Sequence, residues 1–384
     1  MIEARDFSNR ERFPGLTGNF FDIALHKAMN VEKIPDGIFF LLLIVLSFLG
    51  FWRNELLSLV MVAFFIFDWI SISLLPRYRR SFGPIKPQVM ILAFSRLLPV
   101  FFTPIMIWFP LQILGCILQV YAFWIEPFHI KVSHQTVETG KIPAGEKFRI
   151  LHIGDLHLER SSVREERLNQ LIRELSPDAI FFSGDYLCLS SIRDRNAWSD
   201  LKKVLNEWEV PLGTFGVTGS PAVDLPENFP ELLEGTPVTL LVDETAILQK
   251  GSASIQIIGL ECTHKPHEDA PRLRKILREL PNGYKILIHH SPDLAPQIQN
   301  DGIDLHLAGH THGGQVCLPF IGPIFTGSLY GLVFKSGKYV LNNTILYITR
   351  GLGLEGLSAP RVRFLCPPEI VMWEILGKNE EAML

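Results

Sequence analysis

The sequence predicts an α/β domain carried behind an N-terminal region of transmembrane helices. Three observations set that expectation. From Ile38 to Ile125 charged residues almost disappear, whereas from Lys131 onward the charge mix is that of a soluble protein. From Phe148 short apolar runs of strand type alternate with stretches of helical spacing, the pattern of a sheet covered by helices. Strand-like runs also end repeatedly on residues of metal-ligand type. FRILHIGDLH delivers Asp155 and His157, AIFFSGD delivers Asp185, YKILIHHSPD delivers His289 and His290, and DLHLAGHTHGGQ delivers His310 and His312. Ligands collected from the carboxyl ends of several strands are how an open α/β sheet builds a site.

With 384 residues, 47% of them hydrophobic, the chain has room for more than one folded unit, and its net charge of −4 gives no bias toward nucleic acid. The five cysteines are scattered with no C-x-x-C, and read as reduced thiols. Residues 1–37 form a basic arm, too long before the apolar run to resemble a secretory signal. In the transmembrane region, 38–125, Ile38–Trp52 is a short apolar block, Leu56–Leu75 is a fuller span, and Gln88–Ile125 suits two helices joined by a turn at its prolines. About four helices are expected. Arg5, Arg10, Arg12, Lys27 and Lys33 in the arm, and Arg77, Arg79, Arg80 and Lys86 in the middle loop, face only Arg53 on the other side. Four spans then place the arm, the middle loop and the C-terminal domain in the cytoplasm. Asp68 and Arg96 fall inside spans, where they either pair with each other or snorkel to the interface, the alternative being a relay or headgroup contact.

Residues 126–147 read as a linker, 148–377 as the catalytic-type domain and 378–384 as a tail. Arg164–Leu175 has helical spacing and stops before Ser176-Pro177, after which AIFF is a buried strand. Gly213–Ser220 is another strand, followed by the amphipathic FPELLEGT. SIQIIGLE, APRLRKILREL, YKILIHH, IDLHLAGH and TILYITRG continue the alternation to about Arg350.

Taken in order, Asp155-x-His157, Gly184-Asp185, Gly219-Ser220-Pro221, His290-x-Pro292-Asp293 and Gly309-His310-x-His312 resemble the motifs of the calcineurin-like metallophosphoesterases. GGQVCLPFIGP, TRGLG, RFLCPPEI and the junction EPFHIKV are similar to a membrane-anchored, YaeI-like subgroup. The resemblance implies a four-layer sandwich, two mixed β-sheets flanked by helices, with a two-metal centre. By motif position Asp155, His157 and His312 would hold one ion, His290 and His310 the other, and Asp185 would bridge. It implies a metal-dependent phosphoric ester or pyrophosphate hydrolase using two divalent ions, manganese first, with iron, zinc, cobalt or magnesium as alternatives. A carboxylate is the side chain able to bridge, and imidazoles select Mn, Fe, Zn or Co over Mg or Ca. His152, His289 and His306 read as neighbours of the motifs rather than ligands.

Most members of that family carry Gly-Asn-His where this chain has Gly219, Ser220 and Pro221. Ser220 is a weak ligand for the second metal, and Pro221 cannot donate a proton. The domain is then catalytically impaired, or recruits a substitute acid or substrate contact (Asp224, His264 and His267 lie close in sequence), or expels a leaving group that needs little protonation. A nucleotide phosphate, with a last pKa of about 6, fits the third case. Arg160 could neutralise a diphosphate. A membrane location adds a lipid, so the leading expectation is a multi-pass bacterial inner-membrane enzyme that cuts the lipid-linked nucleotide UDP-2,3-diacylglucosamine to lipid X and UMP in lipid A biosynthesis. A broad-specificity membrane phosphodiesterase and a metal-binding scaffold are the alternatives. Leu318, Pro319, Phe320 and Ile321 either pack under a loop or line an acyl groove.

Overall fold

The computed structural model describes residues 2–10, 13, 16, 18–51 and 54–378. Arg12, Trp52, Arg53 and tail residues 379–384 lie outside the described residues. Among the described residues five α-helices precede the first strand: α1 (Phe20–Ala28), α2 (Asp36–Gly50), α3 (Glu55–Leu74), α4 (Lys86–Phe102) and α5 (Ile105–Val120). The first of these lies within the stretch read as a basic arm, and starts where the Asn19 side chain accepts the Asp22 N–H. Pro104 separates α4 from α5, since the residue before a proline is pushed out of helical geometry.

Four α-helices fall in the stretch expected to hold about four transmembrane helices. Among the described residues only the runs Glu55–Tyr78 and Ile105–Phe128, 24 residues each, are by themselves long and apolar enough to cross a membrane; Phe20–Lys33 and Asp36–Gly50 form a pair bent by 107°. Asp68 and Arg96 do pair, with Nε to Oδ2 at 2.6 Å and Nη2 to Oδ1 at 2.7 Å, and Arg96 Nη1 also donates to the Gln112 carbonyl at 3.0 Å. One guanidinium therefore ties α3, α4 and α5 together.

The strands are β1 (Lys131–Thr139), β2 (Lys147–Ile153), β3 (Ala179–Phe182), β4 (Thr214–Gly216), β5 (Val238–Leu240), β6 (Glu244–Lys250), β7 (Ala253–Gly259), β8 (Tyr284–Ile288), β9 (Leu305–Ala308), β10 (Cys317–Leu318), β11 (Gly322–Pro323), β12 (Gly337–Leu341), β13 (Thr344–Ile348) and β14 (Glu369–Gly377). They form two six-stranded mixed sheets, ordered β1-β14-β2-β3-β4-β5 and β12-β13-β9-β8-β7-β6, and a small β10-β11 ribbon. Alternation along each strand sends one set of side chains inward and the next outward. Phe148, Ile150 and Trp373 of the first sheet share a buried core with Ile255, Ile257 and Ile286 of the second. Leu151 and Ile153 face outward onto Leu168 and Ile172 of α6 (Val163–Leu175) and Leu201 and Leu205 of α7 (Arg195–Leu205). On the far side Ile258 and Leu287 pack on Ala270 and Leu273 of α8 (Pro266–Leu277). Helix, sheet, sheet and helix make the four layers. At the start of α6, Ser162 and Glu165 form a reciprocal cap, and Ser176 ends the helix in a left-handed turn before Pro177.

The stretch 126–147 is not a plain linker. Within it β1 runs parallel to β14 over nine pairs, Lys131↔Glu369 to Thr139↔Gly377, so the folded domain begins at Lys131 rather than at 148. The physical reason is the free edge of β14, whose backbone groups need a partner. The domain also sits directly on the helices. Val362 and Phe364 pack into the helical core, the Arg361 N–H donates to Gln88 Oε1 at 2.9 Å, and Glu126 accepts the Leu365 N–H at 2.8 Å.

Candidate metal centre

β2, β3 and β4 are mutually parallel, as are β7, β8 and β9, and each delivers a polar residue just past its carboxyl end. In that order they supply Asp155 and His157, Asp185, Ser220, His264, His290, and His310 and His312. All are buried, His290 and Asp155 completely. Asp155, His157 and His312 form one group with metal-ligand spacing, Asp155, Asp185 and His290 a second, and His264, His290 and His310 a third. Asp185 Oδ2 lies 3.3 Å from His157 Nε2 and 3.2 Å from His290 Nε2, which places this carboxylate between the two ends of the site.

The backbone is bent to achieve this. Asp155, His157, Asp185, His264, His310 and His312 all have φ between 41° and 69°, a left-handed region that non-glycine residues rarely occupy and that gathers at functional sites. Gly184 and Gly219 let two of the loops touch: a Cβ on Gly184 would lie 2.5 Å from the Gly219 backbone.

The donors fit a pair of divalent cations. His157 Nε2 and His312 Nε2 face each other at 3.0 Å, while Asp155 Oδ2 has no hydrogen-bond partner among the described residues. Such an arrangement in a buried space is costly unless a cation is shared between the groups. Tautomers are set from behind. The Ser183 carbonyl is 2.8 Å from His290 Nδ1 and the Gly327 carbonyl is 2.9 Å from His310 Nε2, so each ring turns its other nitrogen inward as a donor atom. Electrostatics agree. Burial pushes His310 down to about 3. For His290 burial acts in the same direction, but Asp185 outweighs it and lifts the ring to about 9. Burial likewise opposes the charge on Asp185, which His290 and His157 nevertheless hold well below the usual carboxylate range.

The remaining residues suggested by sequence fall elsewhere. Asp224 accepts backbone N–H groups of Asp185 at 2.8 Å, Gly219 at 2.7 Å and Tyr186 at 3.1 Å, so it clamps the two loops and is not free to act as an acid. Arg160 is taken up by Asp200 at 2.7 Å. His267 lies in the first turn of α8, 3.8 Å from Glu268, and belongs to none of the ligand groups. His289 is held by Asp269 at 3.2 Å, in a group with Cys262 that also has metal-ligand spacing, and His152 by Ser183 at 3.1 Å.

Above His157, Asp185, His310 and His312 opens a cavity of about 250 Å³. Its walls include Phe21 of α1, Val316 and Phe325, and among the described residues no Lys or Arg lines it. Phe21 stacks on Phe325 at 6.2 Å. Leu318, Phe320 and Ile321 are exposed at the tip of the β10-β11 ribbon rather than packed under a loop. Sequence reasoning missed the α1 contribution, because nine residues are too few for a clear helical period.

The model of the calcineurin-like phosphoesterases matches residues 148–314. The metallophosphoesterase YkuE of Bacillus subtilis is 31% identical over 273 residues, a match covering 67% of this chain and 90% of that protein. The chain belongs to the calcineurin-like phosphoesterases. It is therefore a metal-dependent hydrolase, and its fold implies two divalent ions, for which the His and Asp groups above are the candidate ligands. This calcineurin-like phosphoesterase is also similar to the phosphodiesterase YaeI of Escherichia coli, 28% identical over 60% of this chain and 82% of the relative. The UDP-2,3-diacylglucosamine pyrophosphatase LpxG of Chlamydia trachomatis is 26% identical over 59% of this chain and 83% of the relative.

Proposed function

We propose that this chain is a multi-pass enzyme of a bacterial inner membrane, its metal centre facing the cytoplasm, that hydrolyses UDP-2,3-diacylglucosamine to lipid X and UMP, with manganese as the resident ion. The observation that carries the reading is the cavity itself. Metal-ligand groups open beneath a rim that includes Phe21 of α1 and, flanking the β10-β11 ribbon in sequence, Val316 and Phe325, with Asp22 and Glu355 as its acidic members; the same chain carries helices apolar enough to enter a bilayer. At about 250 Å³ the cavity is smaller than the roughly 300–1,000 Å³ that encloses a whole small-molecule ligand. A long substrate must extend outward, over Phe320 and Ile321.

Asp155, His157 and His312 would hold one ion, His290 and His310 the other, and Asp185 both. Two ions there supply Lewis-acid stabilisation of the charge developing on the phosphoryl oxygens. The cavity wall offers no cationic side chain to share that load. Asp224, held by three N–H groups, and His267, outside the ligand groups, are both poorly placed to replace the acid missing at Pro221. A leaving group that departs without protonation is thus favoured, and a phosphate with a last pKa of about 6 satisfies that condition. The activity of LpxG, a UDP-2,3-diacylglucosamine pyrophosphatase, supports this reading. That of YaeI supports a second reading, a broad-specificity membrane phosphodiesterase.

The test uses full-length protein in vesicles containing UDP-2,3-diacylglucosamine and Mn, Co or Mg. Metal-dependent UMP release is expected, and no UMP with any of the three ions overturns the reading. Equal turnover of an acyl-free UDP-sugar would select the broad phosphodiesterase instead.

A further inference from the structure

Within the dimetal reading just given, on which this inference rests, the second ion is left short of a ligand by the Ser220-Pro221 replacement. The Ser220 hydroxyl points to where the other donors converge, 3.2 Å from His290 Nε2 and 3.4 Å from Asp185 Oδ2. It brings one neutral oxygen. From the end of β7 a further imidazole reaches the same place: His264 Nε2 lies 3.0 Å from Ser220 Oγ, and the His264 ring centroid is 4.2 Å from that of His310 and 5.8 Å from that of His290. His264 is 3% exposed. Donor atoms of His264, His290 and His310 lie within 4.8 Å of one another.

We propose that His264 is a protein ligand of the second metal ion, replacing the absent asparagine, so that this ion is held by Asp185, His264, His290 and His310. One feature of His264 itself argues against a merely packed core histidine. Its backbone has φ 56°, as at five other residues of the centre, so the chain is strained in order to aim this ring. Ser220 then hydrogen-bonds beside the ion instead of carrying it. One consequence is a difference between the two sites. Three imidazoles and one carboxylate make the second site richer in nitrogen than the first. A second is that His264, engaged as a ligand, does not protonate the leaving group.

The experiment measures metal content, independent of turnover. Full-length protein in detergent is stripped with chelator, reloaded with Co(II), dialysed, and analysed for bound cobalt and visible absorption. Wild type and His267→Ala should retain two equivalents. His264→Ala should retain one, with a changed spectrum, and Ser220→Asn in the His264→Ala background should regain the second. His264→Gln, closer in size, should behave as the alanine variant does and covers the case in which that variant fails to fold. If wild type retains two equivalents and a folded His264 variant retains two with an unchanged spectrum, His264 is not a ligand although the dimetal reading stands. If wild type retains none, the dimetal reading itself falls.

Discussion

Asp185 is the residue on which both halves of the centre depend. One oxygen accepts the Ser220 N–H at 2.6 Å and the other faces His157 and His290. Asp185→Asn keeps the shape and removes the charge by which, in the proposed two-ion site, one group would serve two cations. It should lower phosphodiester or UMP-releasing turnover by at least about 10²–10³-fold, with loss of bound metal in the same preparation. Asp224 acts through Asp185, by holding its backbone, and Asp224→Asn should weaken metal binding by about 10–100-fold. Metal must also displace protons. In the metal-free protein the Asp185 carboxylate keeps His290 protonated up to about pH 9, so metal affinity should rise with pH from 6 toward 9, with proton uptake by the buffer visible in calorimetry. Affinity independent of pH over that range would contradict the ligand role of His290. The motif ligands were legible because each follows directly on an apolar strand. Asp224 and Arg160 were not, since the sequence shows neither the three N–H groups that occupy the one nor the Asp200 that occupies the other.

Two short elements give the centre its surroundings, and neither stands out in the sequence. The ribbon β10-β11 holds Phe320 fully out of the protein, and α1 brings Phe21 against Phe325 at the cavity mouth. An aromatic ring left in solvent gains roughly 1.5–3 kcal/mol when covered. If acyl chains cover it, Phe320→Ala should raise the KM for long-chain substrate by about tenfold or more and leave that for an acyl-free analogue unchanged. Equal effects on both would assign the ribbon to positioning the metal loops instead. The edge strand β1 escaped notice for a related reason. Its burial alternates only weakly, and what makes it a strand is its parallel pairing with β14, more than 200 residues away in the chain. Long apolar or strictly amphipathic elements such as α3, α6 and β8 announce themselves; elements defined by a distant partner do not.

The domain and the helices meet as one packed unit, and the contact has an electrostatic centre. Arg361 is 1% exposed. Its guanidinium Nε reaches Glu159 Oε1 at 3.1 Å, and Nη1 donates to the carbonyls of Leu357 at 2.8 Å and Ala359 at 2.7 Å. The middle loop lies on this side chain so closely that a Cβ on Gly83 would come within 2.7 Å of Nε. Glu159 follows the first metal motif by two residues, so the pair ties the segment on which Gly83 packs to the loop that carries His157. Removing one partner of a buried pair strands the other, at a cost of about 3–5 kcal/mol, whereas replacing both by apolar groups is often nearly neutral. Arg361→Met should therefore lower the melting temperature sharply. Glu159→Leu combined with Arg361→Met should restore most of the loss. If the double variant is as unstable as the sum of the singles, the two side chains act independently, and Arg361 contributes through its packing under Gly83 and its carbonyl partners rather than through this ion pair.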